Sequence, residues 1–163
     1  ALLSLMMLSL AIGGVIERSE VMALFPQVFD SSWTAMFFLI GVMVFLGMVM
    51  DPFGATVLVS GTLAPVAYAN NIDPLHFWMM VLTAFELGYL SPPVALNQLL
   101  TRMVVGEQEM DAADAEVRHK SFYYRYERWI MPVIIMAMGL LFVTYGGQLI
   151  VEHGAEWSAA LGL

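Results

Sequence analysis

Apolar residues fall in long unbroken blocks along this chain, without the strict alternation of half-buried strands, and short polar or Gly/Pro-rich breaks divide them. The blocks run from Ala1 to Ile16, Trp33 to Met50, Ala55 to Tyr68, Leu75 to Val105 and Trp129 to Val151. They predict helices at membrane depth, where each backbone polar group must be satisfied within its own segment. Glu17, Arg18 and Glu20 mark an exit into water, followed by a loop to Ser32 with a short interfacial turn over 21–25. Ser31 or Ser32 suits an N-cap for the second block, and Asp73 with Pro74 suits the entry of the fourth. The last block is the longest, with Pro132 expected in its first turn, where proline costs least.

Two interruptions stand out. Ser91-Pro92-Pro93 falls inside the block from Leu75 to Val105. Adjacent prolines remove two backbone donors and push Ser91 out of helical geometry, so carbonyls of the preceding turn lose their partners. Met50-Asp51-Pro52-Phe53-Gly54-Ala55 interrupts the chain upstream. The stretch from Ala55 to Tyr68 is about 14 residues, roughly 21 Å, and reads as too short for a bilayer core of about 30 Å. A re-entrant hairpin follows: down along 33–50, a tip at 50–55, back along 55–68. Two full crossings with Asp51 in an aqueous turn are the alternative.

A hairpin tip and a helix break meeting near mid-membrane would present helix ends, released carbonyls and a small hydroxyl. Such groups suit a bare monovalent cation, or a carboxylate at a helix N-terminus. Proline kinks used only for packing are the plain alternative, and Gly41, Gly47, Gly61 and Gly139 suit helix packing alone. Asp51 and Glu86 are the carboxylates deep in apolar sequence, which makes them functional suspects. Glu86 has three readings: cation ligand, proton relay, or partner of a neighbouring helix. Asn97 lies one turn after Pro93, on the side that reaches back to the break. Thr83, Ser60 and Thr62 are expected to bond their own backbone, and His76 to lie at the interface.

Composition narrows the class. Of 163 residues, 60% are apolar and 12% charged, against roughly 25% charged in soluble domains. The mean hydropathy of +0.78 agrees with an integral membrane protein. A net charge of -8 argues against nucleic acid as a partner, and the absence of cysteine removes disulfides, thiolate metal sites and thiol nucleophiles. No His-Glu-x-x-His, Gly-x-Ser-x-Gly or Walker loop is present, so no enzyme is expected. The start, Ala-Leu-Leu-Ser, reads as the interior of a longer protein.

Charge sets orientation. Arg118, Lys120, Arg125 and Arg128 lie between the interrupted block and the last one, with Arg102 just before, whereas the 17–32 loop carries only Arg18. The positive-inside rule puts the 106–128 connector, which rests on headgroups, in the cytoplasm. Loop 17–32, Asn70–Pro74 and the C-terminal tail are then outside. The expected organisation is a first span and outer loop over 1–32, a transport unit over 33–105 (hairpin 33–68, broken helix 75–105), the connector 106–128, and a final span with outer tail over 129–163.

Asn71-Ile-Asp-Pro-Leu-His-Phe77, followed by Glu86-Leu-Gly-Tyr-Leu-Ser-Pro-Pro-Val-Ala-Leu-Asn97, resembles the C-terminal half of the large membrane (M) subunit of tripartite ATP-independent periplasmic (TRAP) transporters. Gly47-Met-Val-Met-Asp51 and Leu63-Ala-Pro65 fit the same pattern, and the similarity covers roughly Gly41 to Gly106. That family often has Gly at the positions of Asn71 and Ala95, Thr at Ser91, and an uncharged residue at Glu86. The resemblance implies an all-α, inverted-repeat, elevator-type secondary transporter of the bacterial inner membrane, with a periplasmic C-terminus. It implies uptake of a small organic acid with sodium, no further cofactor, delivery by a periplasmic solute-binding protein, and bracing by a small membrane subunit. Gly47, Asp51 and Gly54 would lie near the tip of an outward-opening hairpin. Gly88, Ser91, Pro92, Pro93, Val94 and Asn97 would form the other wall of a sodium site, with the organic acid between this half and an N-terminal half. The rivals are a proton-coupled carrier using Glu86 and a non-transporting scaffold.

Overall fold

The structure is a computed structural model that describes residues 2–18, 26–92 and 95–161, and its regular elements there are all helical. The described helices are α1 (Leu2–Arg18), α2 (Ser32–Val49), α3 (Pro52–Ala69), α4 (Pro74–Leu90), α5 (Leu96–Val105), α6 (Glu107–Val117) and α7 (Phe122–Leu141). A π turn over Phe142–Gly146 joins α7 to α8 (Gly147–Leu161). The interfacial turn expected at 21–25 lies outside the described residues.

Capping fixes the starts. The Ser31 hydroxyl accepts from the Trp33 amide at 3.3 Å, and Asp51 and Asp73 cap α3 and α4, each followed by a proline. Because Asp51 caps it, α3 begins at Pro52 and has 18 residues, about 27 Å, not the 14 expected. Length therefore does not make α3 re-entrant. Among the described residues three stretches are long and apolar enough to cross a bilayer: Ser32–Val49, Pro52–Ala69 and Phe122–Gly154.

The antiparallel return of α3 along α2 rests instead on Asn70. Its Oδ1 accepts from the Phe29 amide at 2.8 Å, while its Nδ2 donates to the carbonyls of Gln27 (3.0 Å) and Val66 (2.8 Å). Ser32 Oγ donates to the Asn70 carbonyl at 2.9 Å. One amide thus laces the open end of the hairpin. Asn71, next to it, turns the chain in the left-handed region at φ 59°.

Packing follows helical stripes. Ala35, Met36, Leu39, Ile40 and Met43 recur every three or four residues on α2 and are buried, as are Phe77, Met80, Val81, Ala84 and Phe85 on α4. α2 packs most extensively on α4, α1 on α3, and α4 also on α7. Of the glycines expected to serve packing, Gly47 does so, whereas a Cβ on Gly41 or Gly139 would meet no neighbouring element within 4 Å and Gly61 is exposed.

The C-terminal helix differs most from expectation. It starts at Phe122 rather than Trp129 and runs past Val151 to Leu161, so Pro132 lies inside it and not in its first turn. Proline has no N–H for the carbonyl four residues back, which is that of Arg128. Gln98 Nε2 donates to this oxygen at 3.4 Å. Further along, His76 Nε2 sits 2.9 Å from the Val143 carbonyl at the π turn. A side chain inserted at a helix carbonyl is a common cause of such irregularity. The imidazole fits because residue 147 is glycine: a Cβ there would lie 2.7 Å from Nε2. His76 is consequently buried, 3% exposed.

These contacts give the bundle two ends. Trp33 stacks on Tyr145 (5.6 Å, 4°), so the starts of α2 and α4 lie beside the π turn. Gln98 meets Arg128 fifteen residues earlier on the long helix, about 22 Å away. The helix break therefore sits toward the basic end of α7 rather than halfway along it.

Candidate functional site

The tip of the α2–α3 hairpin is built by chain reversal at two residues. Met50 leaves the helix in extended geometry while its N–H still bonds the Leu46 carbonyl. Asp51, 3% exposed, turns its Oδ1 onto the amides of Phe53 (2.9 Å) and Gly54 (3.3 Å). The N-terminus of α3 is thus already occupied by a carboxylate of its own chain and does not offer a seat for a solute carboxylate. Gly54 is buried, and its carbonyl faces α1, 3.7 Å from where a Cβ on Gly13 would lie.

On the other side, the tip touches α4 backbone to backbone. A Cβ on Gly88 would fall 2.7 Å from the Gly47 carbonyl carbon and 2.7 Å from the Val44 oxygen, and one on Gly47 would lie 3.1 Å from the backbone of Phe85. Only hydrogen at both positions permits this approach. Gly47 and Gly88, which the family resemblance put on opposite walls of the site, are in direct contact.

α4 is capped at its C-terminal end by Ser91, which is extended (φ -90°, ψ 144°) as the prolines after it require. Ser91 partly heals the break it marks. Its hydroxyl donates to the Leu87 carbonyl at 2.7 Å and its amide to the Gly88 carbonyl at 3.0 Å. Each carbonyl keeps a second lone pair. Pro92 is exposed, and Pro93 and Val94 lie outside the described residues. Beyond them Ala95 takes φ 45° and ψ 59°, a left-handed conformation that glycine adopts more readily.

The gap between α4 and α5 is spanned by one side-chain bond. Asn97 Nδ2 donates to Glu86 Oε1 at 2.8 Å, with both residues half-buried. This tie across its own broken helix is a role for Glu86 besides the three readings open from the sequence. The hydroxyls of Thr83, Ser60 and Thr62 bond carbonyls of their own helices, as expected. Among the described residues no group of three or more His, Asp or Glu is arranged to hold a metal ion.

A second buried polar group was not foreseen in the sequence. His76 Nδ1, Thr144 Oγ1 and Gln148 Oε1, all on residues 4% exposed or less, have no hydrogen-bond partner among the described residues. Nothing in an apolar stretch such as Phe142-Val-Thr-Tyr-Gly146 signals a π turn, and without it His76 has no visible partner.

Comparison with known proteins places this geometry in a family. The family model for the DctM component of tripartite ATP-independent periplasmic transporters matches residues 1–146. A C4-dicarboxylate TRAP transporter large permease protein from Vibrio cholerae is 36% identical over 69 residues, 42% of this chain and 15% of the relative. A sialic acid TRAP transporter permease protein from Haemophilus influenzae is 32% identical over 88 residues, 52% of this chain and 14% of the relative. An isethionate TRAP transporter permease protein from Oleidesulfovibrio alaskensis is 23% identical over 99 residues, 61% of this chain and 13% of the relative. The chain thus spans about one-seventh of the length of these relatives, and no solved structure matches it. These relatives are permeases rather than enzymes, and the family match over most of its length makes the chain a member of the DctM component of the tripartite ATP-independent periplasmic transporters.

Proposed function

We propose that this chain forms the half of a TRAP permease that holds the coupling ion, and that the permease imports a small organic acid with sodium. The observation that carries the reading is the backbone contact of Gly47 with Gly88, which joins the hairpin tip to the broken helix. Close approach of two backbones beside a hairpin tip and a helix break supports a shared site, because broken helices commonly present main-chain oxygens to cations. The relatives are named for C4-dicarboxylate, sialic acid and isethionate, all organic anions, and this supports the substrate class. In the same reading the 33–105 segment is the moving unit of an elevator in the bacterial inner membrane. A solute-binding protein delivers from the periplasm, where the C-terminus lies, and a small membrane subunit and the N-terminal half complete the carrier.

Reconstitution of the whole permease with its binding protein tests this. Uptake is expected to require an inward sodium gradient, and uptake driven equally by potassium contradicts the proposal. Glu86 supplies the rival, since a half-buried acid near the break also suits proton coupling. Glu86→Gln separates the two, because glutamine can still accept from Asn97. Sodium dependence is expected to survive, whereas loss of pH coupling with indifference to sodium would favour the proton carrier.

A further inference from the structure

A cavity of about 420 Å³ lies between α6 and the first turns of α7, at the opposite end of the bundle from the His76 cluster. Its walls include Asp111, Asp114, Arg118, Arg125, Tyr126 and Trp129. The acids are already engaged. Arg128 grips Asp114 through both nitrogens (2.7 and 3.0 Å), and Arg102 lies 3.8 Å from Asp111 and 3.9 Å from Asp114. Arg118, at the end of α6, and Arg125, in the first turn of α7, have no carboxylate partner among the described residues. The Arg125 guanidinium is 5.5 Å from the Tyr126 ring centroid.

Two guanidiniums from different helices thus face one space whose carboxylates are spoken for. Guanidinium matches phosphate in shape and charge, and the volume lies in the range of ligand pockets, roughly 300–1,000 Å³. Position says which phosphate. The cavity opens at the foot of the apolar stretch Phe122–Gly154, where Phe122, Tyr123 and Tyr124 are exposed as residues at a headgroup boundary are. His119 and Lys120 extend the basic turn between the helices. We propose that this corner binds the phosphate of an anionic phospholipid headgroup between Arg118 and Arg125, with the acyl chains along α7.

The test is a titration of the whole permease, in detergent, with phosphatidylglycerol or phosphatidylcholine, read by native mass spectrometry. Arg118→Gln with Arg125→Gln is expected to weaken phosphatidylglycerol binding by about thirtyfold, taking about 1 kcal/mol for each basic side chain. Phosphatidylcholine binding should stay unchanged. Arg118→Lys with Arg125→Lys keeps both charges and should retain most of the affinity, which separates a lost site from a damaged fold. Excess inorganic phosphate should fail to displace the lipid. Equal phosphatidylglycerol affinity in wild type and the glutamine variant would overturn the proposal, as would displacement by inorganic phosphate.

Discussion

At the scale of single residues, the site depends on what glycine lacks. Among the described glycines, Gly47 and Gly88 bring two backbones closest together, and they are not equivalent. A methyl on Gly88 meets main-chain atoms at 2.7 Å that cannot rotate away, whereas one on Gly47 meets its neighbours at 3.1 Å. Gly88→Ala is therefore expected to cost about 1–3 kcal/mol, as overpacking does, and more than Gly47→Ala. Thermal unfolding of the detergent-solubilised permease checks the ranking; equal midpoints would mean that the contact is looser than drawn. Ala95 makes the opposite case. A non-glycine residue in left-handed geometry costs about 1–2 kcal/mol, of which glycine's greater freedom when unfolded returns about 0.5–1 kcal/mol. Ala95→Gly is expected to raise the midpoint slightly, and a lowered midpoint would contradict the strain. The family resemblance already implied glycine at the positions of Asn71 and Ala95. Their reason is now physical, since both have positive φ.

At the scale of elements, what could be read from sequence was where helices stop, and what could not was what happens to the groups a stop releases. Ser31, Asp51 and Asp73 were legible as polar residues ahead of apolar blocks, yet counting α3 from Ala55 missed that an Asp-Pro pair starts a helix as well as ending one. Pro132 was placed by the rule for first turns. The aromatic segment before it proved to be helix, and Gln98, thirty residues earlier, takes the carbonyl that the proline frees. Such a partnership has no signature along the chain. Asn70 is the element-scale residue with the clearest consequence. Asn70→Ala removes its side-chain bonds to Phe29, Gln27 and Val66 and is expected to cost about 2–3 kcal/mol, at about 1 kcal/mol per bond. Hydrogen exchange should quicken at the Phe29 amide before it does at the hairpin tip. Unchanged protection there would mean the hairpin mouth is held by packing alone.

At the scale of the whole molecule, apolar blocks broken at Asp51-Pro52 and Ser91-Pro92 predicted a membrane helical protein, and the helices and family match agree. The expectation was that the two breaks meet; the structure puts the helices just ahead of them in contact, at Gly47 against Gly88. Their depth was less legible. Hydropathy gives the length of a span but not the level at which two spans touch, and the contact of Gln98 with Arg128 sets the break toward the basic end of α7. The central claim is that tip and break together hold a sodium ion. Thermal unfolding of the whole permease in sodium and in potassium chloride, for wild type and Asn97→Ala, tests it most directly. Sodium should raise the wild-type midpoint above that in potassium, and Asn97→Ala should remove most of that difference. Equal midpoints in the two salts for the wild-type protein would contradict the account.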